Sequence, residues 1–100
     1  MFTCTTIATV DPARFPEIAE AARIASERVA RQKGCLWYTF AKPDGSDDTL
    51  LILEGWETFE DFEAHGAHRF EPGDPVYDFG QVFDPALTGE PKMFFAPTIV

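Results

Sequence analysis

This sequence predicts an α+β fold, an antiparallel sheet with its helices gathered on one face. Three observations point there. Apolar residues recur with helical spacing between Phe15 and Val29 and with strand spacing between Thr49 and Glu57. The periodic segments follow one another as strand, helix, strand, strand, helix, strand. Gly, Pro and Asp bound most of them, so one hairpin and two helical crossovers suffice to connect the set.

Residues Phe2 to Val10 hold three Thr before Ile7, then Thr9 and Val10, the β-branched composition of a strand. Asp11-Pro12 ends that strand and can open a helix, with Asp as cap and Pro in the first turn. Pro16 lies too deep for a helix starting there, because it removes a backbone hydrogen bond. The regular helix is therefore expected from Phe15–Pro16, after an irregular turn. Phe15, Ile18, Ala22, Ala25 and Val29 make one apolar stripe, opposite Glu17, Glu20, Arg23, Glu27, Arg28 and Arg31. Arg31 and Lys33 suit the negative end of the helix, and Gly34 suits a left-handed cap.

Cys35 to Lys42 and Thr49 to Glu57 read as two strands joined by the turn formers Pro43-Asp44-Gly45-Ser46-Asp47-Asp48. Along the second of these, Leu50, Ile52, Glu54 and Trp56 share one face, and Leu51, Leu53 and Gly55 the other. Both faces are mostly apolar, so both need cover. Helices can cover one face and a second subunit the other. Thr58-x-x-Asp61 resembles a capping box that opens a short helix with Phe59, Phe62, Gly66 and Phe70 as its stripe. Asp74-Pro75 opens a further short helix, with Val76, Phe79 or Gly80, and Phe83 inward and a stop at Asp84-Pro85. Lys92 to Ala96 is the last strand, and Pro97 puts its end on an edge. With right-handed crossovers this is the ferredoxin-like βαββαβ arrangement, one domain over residues 1–100. The first strand then lies beside the third, with the second and fourth at the edges.

Composition excludes several functions. A hydrophobic share of 45% with 14% aromatic residues is enough for a packed core, so the chain is not a disordered one. A net charge of −9 repels phosphate backbones and anionic lipid surfaces, which argues against nucleic acid or a membrane as partner. No apolar run approaches the ~20 residues that span a bilayer. The N-terminus MFTCTTIATV carries no basic segment before an apolar core, so no export signal is visible and a cytoplasmic protein is expected. Cys4 and Cys35 begin strands that are not neighbours in this sheet order, which suits reduced thiols.

The chemistry-bearing residues gather between Gly34 and Tyr77. Trp56 ends a strand on the face of Ile52 and Glu54, where an indole could stack on a flat aromatic ligand. His65 and His68 are three apart and would project from one side of a helix; either could take a proton near neutral pH. Glu54 is a carboxylate on an otherwise apolar face, so it is either an ion-pair partner or a base whose pKa burial has raised. Tyr38 and Tyr77 offer phenolic hydrogen bonds, with Tyr77 and Phe79 on the helix expected to cap a pocket. Two imidazoles want a third ligand for a catalytic metal, and nothing in the spacing of Glu54 or Glu71 demands one, so no metal is expected. No phosphate-binding glycine loop or dinucleotide fingerprint is present, and no cofactor is expected.

Gly34-Cys35-Leu36-x-Tyr38, Glu54-x-Trp56 and Phe62-x-x-His65 together resemble the antibiotic biosynthesis monooxygenase domain. That family comprises small dimeric α+β barrels and includes cofactor-independent quinol and anthrone oxygenases and heme-degrading oxygenases. The resemblance implies a homodimer with its sheets packed face to face and a pocket in each subunit between sheet and helices. It implies O2-dependent oxidation of an electron-rich phenol, quinol or anthrone without a cofactor. In that scheme Trp56 stacks on the substrate, His65 or His68 removes a proton, and Tyr77 orients the substrate. The chain contains no asparagine. Heme-degrading members resemble one another in an Asn, a Trp and a His, so heme degradation is not implied. The segment from His65 to Phe70 is shorter than the usual spacing of the two family histidines, so only His65 carries over by position. The alternative is a non-catalytic barrel that binds a small hydrophobic molecule.

Overall fold

The β-branched run at the N-terminus forms β1 (Phe2–Thr9). A computed structural model describes residues 1–100. After β1, Asp11 caps a single 3-10 turn, Pro12–Arg14, by accepting from the Ala13 amide. That turn defers α1 to Phe15–Val29, so Pro16 falls in the first turn of α1, where its missing N–H breaks no helical bond. The chain continues through β2 (Cys35–Ala41), β3 (Thr49–Trp56), α2 (Phe59–Ala67), α3 (Pro75–Ala86) and β4 (Lys92–Pro97).

The four strands form one antiparallel sheet in the order β2-β3-β1-β4, with the helices on one face, as the crossover argument requires. Register decides which side chains meet. Glu54 lies between Tyr38 and Cys4, and Phe95 completes that row across all four strands. The next row is Phe40, Ile52, Thr6 and Met93. A bulge between Cys35 and Trp37 sets the alignment of β2: Cys35 pairs with Trp56, Leu36 is the extra residue, and Tyr38 pairs with Glu54. Without that extra residue Cys35 and Tyr38, an odd number apart, could not share a face.

The packed core lies under α1 and α3, where Ile18, Ala22 and Ala25 meet Ala8, Leu50, Ile52, Phe79, Phe83 and Ala86. Gly34 turns the chain from α1 into β2 with φ +78°, and a Cβ there would fall within 2.7 Å of three Asp61 side-chain atoms. Only glycine satisfies both constraints.

Two expected boundaries differ. Asp84-Pro85 does not stop α3; the proline occupies its last turn, and the Ala86 beyond it is buried in the core. The second helix ends at Ala67, so Phe70 lies outside its stripe. The outer face of the sheet stays bare in the single chain, with Ile7 36%, Trp37 41% and Phe94 54% exposed. Trp37 lies across Gly55, where a Cβ would stand 2.3 Å from the indole.

Candidate functional site

Between the inner face of the sheet and α2 the packing opens into a cleft of about 320 Å³. Its floor is Thr6, Tyr38, Ile52 and Glu54 from three strands. Phe62, His65 and Gly66 from α2 cover one side, and Phe83, Pro91 and Met93 border the rest. Thr58 fixes the start of α2 by accepting from the Asp61 amide at 3.1 Å, with Glu60 and Asp61 in the favourable first turn. From that start the helix brings His65 over the end of β3.

His65 is held on two sides. Its ring stacks on Trp56, with centroids 5.0 Å apart and planes at 29°. Its Nδ1 lies 2.5 Å from Gln32 Oε1. The Gln32 oxygen can only accept, so Nδ1 carries the proton and Nε2 keeps a lone pair. Burial, then the charges of His68 and Arg28, push the His65 pKa down to about 4. The imidazole is therefore neutral at physiological pH.

Glu54 is 6% exposed. Trp56 Nε1 donates to its Oε1 at 3.1 Å, and the Cys4 thiol is a second hydrogen-bond partner. Both donors are neutral. Burial raises the Glu54 pKa, and the hydrogen bonds from Trp56 and Cys4 offset part of that rise. Burial followed by the neighbouring Glu54 pushes Cys4 up to about 11 and also raises Tyr38 and Cys35. No thiolate forms near neutral pH at Cys4.

Of the residues marked from the sequence, Tyr38, Glu54, Trp56 and His65 come together. Trp56 does not line the cleft; it is fully buried, and the face expected to receive a ligand is taken by His65. His68 closes the helix with its amide still bonded to the Ala64 carbonyl, and its side chain stays on the side of His65. It is exposed, packs edge-on to Phe70 at 4.5 Å, and lines an outer polar cleft shared with Gln32, Lys33, Asp61 and His65, without reaching the inner one. Tyr77 is half-buried on α3 and does not line the inner cleft. Phe79 is core, packed on Phe40 and Phe83. No three His, Cys, Asp or Glu side chains converge as metal ligands, and no helix is long and apolar enough to cross a membrane.

Other lining or supporting residues are not among those candidates. Cys4 and Thr6 were readable from strand parity with Phe2 and Ala8. Phe62 was assigned to packing. Gln32 carries no sequence signal, since it sits in the turn after α1 and meets His65 only through the fold.

Comparison with solved structures agrees with this architecture. A protein of Nitrosomonas europaea provisionally named an antibiotic biosynthesis monooxygenase superimposes with a TM-score of 0.86 at 15% identity, covering 100% of both chains. One of Caulobacter crescentus with the same provisional name gives 0.80 at 19% identity, covering 99% of this chain and 90% of its own. PA3566 of Pseudomonas aeruginosa gives 0.78 at 15%, covering 99% and 94%. At these identities the likeness speaks for the fold alone. No curated protein matches the chain. Residues 1–69, which carry the first three strands and the whole of the His65 helix, match the family description antibiotic biosynthesis monooxygenase, and the chain belongs to that family.

Proposed function

We propose that the protein is a cofactor-independent monooxygenase that oxidises an electron-rich phenol, quinol or anthrone with O2. The observation that carries this is a neutral imidazole, proton-free at Nε2, on the wall of a mostly apolar cleft. Such a cleft takes a flat aromatic substrate against Phe62, Phe83 and Met93, with Tyr38 as a hydrogen-bond partner for its oxygen.

In this reading His65 is the base. For an anthrone, the ring methylene loses a proton to Nε2 and the resulting carbanion gives one electron to O2. The two radicals combine to a peroxide, which eliminates water and leaves a carbonyl. One oxygen atom enters the product and the other leaves as water, and the substrate supplies both electrons. A pKa near 4 makes His65 a weak base when alone. The negative charge developing on the substrate and the indole face beneath the ring both favour the imidazolium as it forms. Trp56 thus acts by holding His65 and Glu54 instead of touching the substrate.

The reading includes a homodimer. Trp37, Ile7 and Phe94 make an apolar outer face that water disfavours, and a second copy would cover it. Sedimentation should give a dimer; a stable monomer at micromolar concentration would contradict this part.

Oxygen uptake by metal-stripped protein with a panel of quinols and anthrones tests the activity. His65→Ala should lower the rate by about 10²–10⁴, while His68→Ala keeps it. Uptake no faster than autoxidation for every substrate would remove the reading. The low pKa of His65 favours a second one, a barrel that binds a hydrophobic molecule without turnover. Ligand binding with no oxygen consumption would support that instead.

A further inference from the structure

The cleft holds an acid with no cation to answer it. Its lining contains neither Lys nor Arg, and its one carboxyl, Glu54, is bonded by an indole and a thiol. Nearby cations are engaged or turned away. Arg28 pairs with Asp74 at 3.0 Å and lies over the Phe70 ring. Lys33 is exposed beside Asp61. Lys92 pairs in register with Ile7, on the outer face of the sheet. The cleft's other polar groups are the Thr6 and Tyr38 hydroxyls and a neutral imidazole.

We propose that Glu54 sets the substrate class of the cleft, admitting uncharged hydroxyaromatics and rejecting those that carry a carboxylate or other anion. This rests on the monooxygenase reading for the word substrate, but its physical basis is independent of turnover. A ligand whose carboxylate is seated in the cleft must either face an ionised Glu54 or bring a proton in to neutralise it. Each route weakens binding, and no basic group in the wall repays the lost hydration. An uncharged phenol meets neither penalty and can donate to His65 or accept from Tyr38.

Calorimetric titration at neutral pH with three redox-stable probes tests this: 2-naphthol, 6-hydroxy-2-naphthoate and the methyl ester of that acid. The ester separates size from charge. The naphthol and the ester should bind alike, and the carboxylate at least about tenfold more weakly. Glu54→Gln keeps a carbonyl oxygen for the Trp56 indole and should bring the carboxylate to within about threefold of the ester. Equal binding of acid and ester by the wild type overturns the proposal, as does a gap that Glu54→Gln leaves unchanged, or no binding of any probe at millimolar concentration. The wild-type ratio needs no variant, so poor folding of Glu54→Gln leaves a decisive measurement. The expected binding pattern without oxygen uptake would remove the monooxygenase reading and keep this one. Equal turnover of carboxylated and uncharged quinols would do the reverse.

Discussion

α1 and α2 lie on the same face of one sheet, yet they pack against it differently. α1 buries Ile18, Ala22, Ala25 and Val29, two of them alanines that let it approach α3 closely. α2 buries none of its residues fully. Its large side chains, Phe59 and Phe62, meet Phe2 and Phe95 toward the edge of the sheet, and the space left beneath is the cleft. One half of the helical layer holds the packed core; the other is held off the sheet and borders the candidate site. A second cleft of about 320 Å³ runs between α1 and β2, but it does not reach the row of Glu54, which opens only beside the shorter helix.

The strongest way to break this comparison is to remove bulk from each half. Ile18→Ala should destabilise by ~2–5 kcal/mol, since a fully buried side chain is lost and the surrounding alanines cannot close the void. Phe62→Ala deletes a larger group but should cost only ~1–2 kcal/mol, because the ring is half-exposed and borders space that is already open. Urea unfolding of both variants gives the two values. Similar losses would mean that the two halves share the load equally.

The two halves also differed in how far the sequence could be read. The stripe of α1, its delayed start at Phe15 and the left-handed Gly34 all follow from local rules, and so does the strand order. The cleft half depended on non-local facts. Glu54 stood out because a carboxylate interrupts an apolar strand face, whatever lies around it. The position of Trp56 was visible, but not that His65 would cover its ring, which depends on how α2 crosses the end of β3. The spacing of His65 and His68 implied a shared face, and both line the outer cleft, but nothing local showed that His65 alone would also reach the inner one. Tyr38 faces Glu54 because of one extra residue at Leu36, and a bulge of that kind has no reliable composition signal. Gln32 reaches His65 from 33 residues away in sequence.

A smaller effect sharpens the picture of the site. Trp56→Phe keeps an aromatic ring under His65 but deletes the N–H that Glu54 accepts, leaving the thiol of Cys4 as its remaining side-chain donor. A buried carboxyl short of one donor should cost ~1–3 kcal/mol. Combining Trp56→Phe with Glu54→Leu, which removes the carboxyl itself, should cost less than the two single losses added together. Strict additivity in a double-mutant cycle would show that the pair is not energetically coupled.

The smallest expected effect is a slope in pH, and the two titrating groups of the cleft give it opposite signs. The folded pKa of His65 lies near 4, below its ordinary 6.5. Its neutral form is therefore favoured by folding, and that contribution is complete above about 6.5 and lost as pH falls toward 4. The folded pKa of Glu54 lies above its ordinary 4.5, so its contribution is complete below that value and lost as pH rises through the folded pKa. Removing His65 as His65→Gln should flatten the decline in stability between about pH 6.5 and 4. Glu54→Gln should gain on the wild type as pH rises out of the acid range, where the wild type alone must ionise a buried carboxyl. Urea midpoints across pH 4 to 8 measure both, and the His65 difference is modest because the ring is only partly buried and water screens its charge. If His65→Gln runs parallel to the wild type, the imidazole is not shielded as its contacts with Trp56 and Gln32 require. The half of the molecule that leaves room for a ligand would then be more open to water than the stacked rings imply.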